Sequence, residues 1–207
     1  AELHGSSKTL LHTMMKRVPM PMNSINKMME IQQRKATQQD NIQIKAMRSF
    51  APMDNQSMLE DIDSLMRLGR TPSDKACLEL ANECNRQGRM NASLMLLALG
   101  MGHIDFFAAG MHKQTHIPLE EVKRFCASDE SEFRMLFNKS RISSALYPLV
   151  WWVLKASREA ITSGLQPGST RICQKMADQL IKAEAIGVNF AGTVGRPIAT
   201  ALHKHFP

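Results

Sequence analysis

His112 and His116 stand four apart, the spacing that sets two imidazoles on one helical face and makes half of a zinc site. No third ligand is in register with them, and Thr115-His116-Ile117-Pro118 breaks the helix between them, so no metal site is expected. His203 and His205 near the C-terminus carry that reading no further. The stretch Gly187–Pro197, GVNFAGTVGRP, has three glycines and an arginine, the material of a phosphate-cradling loop. It lacks both the GK[ST] ending of a phosphate loop and a GxGxxG following a strand, and is read as a connection between helices. Carboxylates cluster as Glu60-Asp61-Asp63 and Glu120-Glu121 on faces expected to be solvated, and no Ser/His/Asp grouping stands in a recognisable local context. The expectation is a non-enzymatic chain with no catalytic residue, metal or cofactor.

The four cysteines, Cys77, Cys84, Cys126 and Cys173, are far apart, form no CxxC pair and sit among apolar residues. They read as buried free thiols rather than as a disulfide or metal set. Phe107–Phe125 carries a sharper pattern: a helix, a tight turn at Thr115-His116-Ile117, then a helix with Val122 and Phe125 inward. That is the outline of a helix-turn-helix, in which Lys113, Lys123 and Arg124 would face phosphate. Two features oppose it: His112 occupies a position where a small residue usually lets the helices cross, and residues 54–140, the part of the chain in which the hairpin lies, are net acidic.

The elements that must position these residues are all helical. In Asn91–Phe125, Leu94 to Leu97, Leu99 and Met101 leave no polar side, so this stretch should be a central helix enclosed by others. Before it, Met58, Leu59, Ile62, Leu65 and Met66 form an apolar face, with Asp54 as a cap and Gly69 as a stop. Cys77, Leu80, Ala81 and Cys84 form the next, with Thr71 as cap and Pro72 at the first position. Asp105 is expected to cap the Phe106 helix, and Asp129 with Glu132 has the form of a capping box. Ser143 or Ser144 starts a longer helix with one face of Leu149, Trp152, Val153, Ala156 and Ala160, and another of Trp151 and Leu154. Ser169 caps a helix through Leu180, and a short helix at Ile198–His203 closes the chain. No stretch alternates with period two over a useful length. The predicted fold is all-α, short antiparallel helix pairs at about 54–87, 91–114 and 118–139 forming an orthogonal bundle or a small HEAT-like α-solenoid.

Residues 1–53 differ from 54–207. They hold eight of the 16 methionines, a Gln-rich interval from Gln32 to Gln43, and too few apolar residues for a core of their own. They also hold eight Lys/Arg against three Asp/Glu, whereas 54–140 has ten against 13 and 141–207 has eight against three. The formal charge of +7 thus belongs to the two ends. This predicts a basic helical arm over 1–53 and a helical core domain over 54–207. Met14, Met15, Met28 and Met29 would form an adaptable apolar contact for a protein partner or a second copy. No apolar run reaches the roughly 20 residues of a membrane span, and the first 20 residues lack a signal-type apolar stretch, so the cytoplasm is the expected location.

Residues 94–150 combine an apolar helix, the turn Gly102-His103-Ile104-Asp105-Phe106-Phe107, a helix ending before Ile117-Pro118-Leu119 with Val122 inward, and a helix carrying Phe133, Leu136 and Phe137. This pattern resembles a family of uncharacterised helical proteins found mainly in alphaproteobacteria. The resemblance implies an all-helical, HEAT-like fold and carries no activity with it. The functional expectation is a helical protein-protein interaction or regulatory module. The alternative is a nucleic-acid-binding regulator using the 107–125 hairpin or the basic ends.

Overall fold

A computed structural model describes residues 55–207. The expected boundary at residue 53, the Asp54 cap, and Met14, Met15, Met28 and Met29 all lie outside the described residues. Within them the chain folds into nine α-helices and no strand. They are α1 (Asn55–Met66), α2 (Asp74–Arg86), α3 (Ala92–Gly100), α4 (Ile104–Thr115), α5 (Leu119–Ala127), α6 (Glu130–Lys139), α7 (Tyr147–Thr162), α8 (Thr170–Ala185) and α9 (Arg196–His205). A 3-10 turn at Ser144–Leu146 leads into α7, and a single π turn at Ala191–Gly195 leads into α9.

The central position of α3 follows from its composition. Every one of its nine residues is buried, and it touches α1, α4, α7, α8 and α9, so no direction around it is left to water. Asn91 starts it by accepting the Leu94 N–H at 3.0 Å. Gly102 ends the turn after it at φ +80°, where a Cβ would be strained and would also run into Ile172 Cδ1. Around this helix the apolar stripes face inward: Met58, Ile62 and Leu65 from α1, Phe106, Phe107 and Met111 from α4, Ile172, Cys173, Met176 and Leu180 from α8. The long helix α7 packs on α8 along one side and on α3, α4 and α6 along others, in keeping with its two apolar faces.

Local chemistry differs from expectation at two caps. The cap of α2 is Ser73, whose Oγ accepts the Ala76 N–H at 3.2 Å, not Thr71. Both residues are of capping type, and the helix starts at Asp74, three residues after Thr71 and directly after Ser73. Asp105 lies inside the first turn of α4 rather than at its cap, which is His103 with no side-chain bond to the helix. Asp129 caps α6 as expected, its Oδ1 accepting the Ser131 N–H at 2.9 Å and the Glu132 N–H at 3.1 Å. The pairing of α1 with α2 is also looser than the short link between them implied. The main neighbour of α2 is α4, and α1 reaches α3 and α9, so the first and last of the described helices meet.

Candidate interaction surface

The α4–α5 hairpin is closed by its own side chains. His116 adopts the left-handed conformation at φ 60°, which turns the chain out of α4. His112 Nδ1 then meets the Ile117 carbonyl at 2.6 Å, and because a carbonyl only accepts, this nitrogen carries the proton. Thr115 Oγ1 donates to the Met111 carbonyl at 2.8 Å. His112 therefore braces the turn. Among the described residues, no three His, Cys, Asp or Glu side chains are grouped to hold a metal ion.

The three basic residues singled out from the sequence end in different surroundings. Lys123 points back into the domain: its ammonium bonds Asp74 on α2 and lies 3.8 Å from Asp105 on α4, with the side chain 26% exposed. Partial burial works against its charge, but the Asp74 bond and the two carboxylates hold its pKa above the usual lysine value. It pins α2, α4 and α5 together. Arg124 is exposed, 3.9 Å from Glu121, with its guanidinium over the Phe125 ring at 5.1 Å. Lys113 is half-buried on α4. The first turn of α5, the one a recognition helix would present, displays Glu120 and Glu121.

A more open feature lies between the α5–α6 turn and α7. Ser128, Asp129 and Glu130 form one wall, and Trp151, Lys155, Arg158, Glu159 and Thr162 the other, around a groove of about 640 Å³, close in size to the 580 Å³ groove between α1 and α2. Its geometry is held from both sides. Arg158 donates to the Ser128 carbonyl at 2.7 Å and to the Ala127 carbonyl, satisfying the C-terminus of α5 where a cation is favoured. Asp129 is bonded by the Ser131 hydroxyl and the α6 N–H groups, which hold its carboxyl below the usual range.

Trp151 forms an aromatic wall of this groove. Its ring stacks on Phe133 at 5.5 Å, and Phe133 in turn neighbours Phe107, Phe137 and Tyr147 at 6.1 to 6.2 Å. Tyr147 is fixed by its hydroxyl, which donates to the Glu130 carbonyl at 3.0 Å, and Arg134 lies over its ring at 4.6 Å. A continuous set of rings thus runs from the core to the partly buried Trp151, which holds its ring in place before any partner arrives. The sequence signal for this was the Trp151-Trp152 pair, since adjacent helical residues cannot both face the same way. Trp152 turns instead to α8, where its Nε1 donates to the Gln179 carbonyl at 3.3 Å.

Two buried groups were not visible in the sequence. Asp61 on α1 is paired with Arg89 after α2, whose Nε lies at 3.1 Å, and burial keeps this carboxyl above the usual range despite the guanidinium. His103 is 1% exposed, and neither ring nitrogen has a hydrogen-bond partner. Its ring lies beside Gly168 in the α7–α8 loop, and burial lowers its pKa to about 4. All four cysteines are buried free thiols, and burial raises Cys126 and Cys173 to about 12, which leaves them protonated and unreactive.

No curated protein and no solved structure matches the chain. No helix among the described residues is long and apolar enough to cross a membrane. A family model described as an uncharacterised protein conserved in bacteria (DUF2336) matches residues 1–188, and the chain belongs to that family.

Proposed function

We propose that this protein is a non-enzymatic helical interaction module that binds a protein partner, with the Trp151 groove as the contact on its helical domain. The observation that carries this reading is the partly buried Trp151, stacked on Phe133, with charged Lys155 and Glu159 exposed at the rim. A pre-ordered aromatic anchor surrounded by polar groups is the usual composition of a binding hot spot. Residues 1–53, with Met14, Met15, Met28 and Met29 and an excess of five positive charges, supply a second, adaptable contact in this proposal. The nucleic-acid reading is left weaker by the acidic company of Lys123 and by Glu120 and Glu121 on α5, which would repel phosphate.

The test is affinity capture from source lysate, with and without nuclease, using the full chain, Trp151→Ala, and the exchange of rim charges Lys155→Glu with Glu159→Lys. The proposal expects a nuclease-resistant partner that is lost with Trp151→Ala and weakened by the charge exchange. Capture abolished by nuclease would move the function to nucleic acid. A partner retained equally by all three proteins, or no partner at all, would remove the groove from the function.

A further inference from the structure

The outward face of α8 carries an arrangement that the Trp151 groove does not use. Arg171, Lys175, Asp178, Ile181, Lys182 and Ile186 all project from one side of this helix or its C-terminal cap, and all are exposed. At 100° per residue they fall within one arc of about 140°. The opposite side of α8, with Ile172, Cys173, Met176 and Leu180, is buried in the core, so this face cannot turn inward. Asp178 interrupts the row of cations, and His203 of the adjacent α9 approaches it at 3.3 Å. Lys204 of α9 adds a further exposed cation. Ile181 is 44% exposed and Ile186 57%, two of the few large apolar side chains presented to water among the described residues.

We infer that this face is a docking surface for an anionic lipid bilayer. Cations and aliphatic side chains on one rigid face match the two components of a membrane interface. Negatively charged headgroups attract Arg171, Lys175 and Lys182, and the acyl boundary takes up Ile181 and Ile186. A nucleic-acid backbone would use the cations and leave the isoleucines in water, and α8 carries no Phe, Tyr or Trp to stack on a base. The surface contributes attachment by a folded domain: α8 stays packed on α7 and α9 and nothing has to unfold to reach the lipid. The net charge of residues 141–207, eight Lys/Arg against three Asp/Glu, favours the same approach from a distance.

The experiment is vesicle co-sedimentation of the full chain at about 0.1 M salt, a concentration at which screening acts over about 10 Å. Vesicles are phosphatidylcholine alone, or phosphatidylcholine containing phosphatidylglycerol as the anionic component. Proteins are the wild type, Lys175→Glu with Lys182→Glu, and Ile181→Ser with Ile186→Ser, with circular dichroism melts showing that each remains folded. The expected result is binding to anionic but not neutral vesicles, a partition coefficient lowered about tenfold or more by the two charge reversals, and a separate loss from the two isoleucine changes. Because the basic arm remains in every protein, retained binding in both double variants would assign lipid attraction elsewhere and overturn the inference. A wild type that ignores anionic vesicles would also overturn it. So would a duplex DNA competitor that displaces the protein while the isoleucine changes have no effect, which would make the face a nucleic-acid surface.

Discussion

Lowering the pH should destabilise this protein through one side chain, His103. Its ring is 1% exposed, has no hydrogen-bond partner at either nitrogen, and is pushed from 6.5 down to about 4 by burial alone. The folded state therefore binds the proton more weakly than the unfolded chain, so the unfolded state holds more protons between these two values and stability falls as pH falls. The difference between 6.5 and about 4 corresponds to about 3 kcal/mol in full, of which about 2 kcal/mol is lost by pH 5 and little above pH 7. Carboxylates also contribute to acid unfolding, and for that reason the measurement is a comparison. Urea unfolding of the wild type and of His103→Leu at pH 7 and pH 5 should show the wild type losing about 2 kcal/mol more than the variant. At pH 7 the variant should be close to the wild type or more stable, because it gives up no hydrogen bond and removes a desolvated polar ring. Parallel losses in the two proteins would refute the argument and mean that the imidazole finds a partner or reaches water.

Two further outcomes follow from the packing. Leu97→Ala should destabilise by about 2–5 kcal/mol, toward the upper part of that range, because α3 is enclosed by five helices and the cavity has no exposed side toward which to collapse; a urea midpoint little changed from the wild type would show that α3 is not central. Arg89→Ala should cost about 3 kcal/mol at pH 7, since it strands the Asp61 carboxylate in the interior, and Asp61→Asn in the same background should recover part of that loss; absence of recovery would locate the effect in packing of the arginine stem.

The helices themselves were legible in the residues. The all-apolar run at Leu94–Leu99 marked α3 as central because a helix without a polar face has to be covered by others, and five neighbours cover it. The Asn91, Asp129 and Ser169 caps were readable because each acts on N–H groups two or three residues away. The same locality explains the two misplaced caps. Thr71 and Ser73 are both competent, and residue type within the turn does not choose between them; Asp105 is competent too, but it lies one residue inside the helix, where Lys123 engages it.

What the sequence determined by itself was the helical class, the order and approximate ends of the elements, and which face of each is apolar. These depend on hydrogen bonds and side-chain spacings within one turn or two. The tertiary structure decided which helices meet and what their polar residues find there. Lys123, a candidate phosphate contact in sequence, lies beside Asp74, 49 residues away, and Trp151 has its ring fixed by Phe133 on another helix. His103, which reads as an ordinary turn residue, is left without a partner under the α7–α8 loop. Each outcome depends on the angle and depth at which two helices cross, and that is set by the summed packing of the whole core rather than by the residues on either side in the chain.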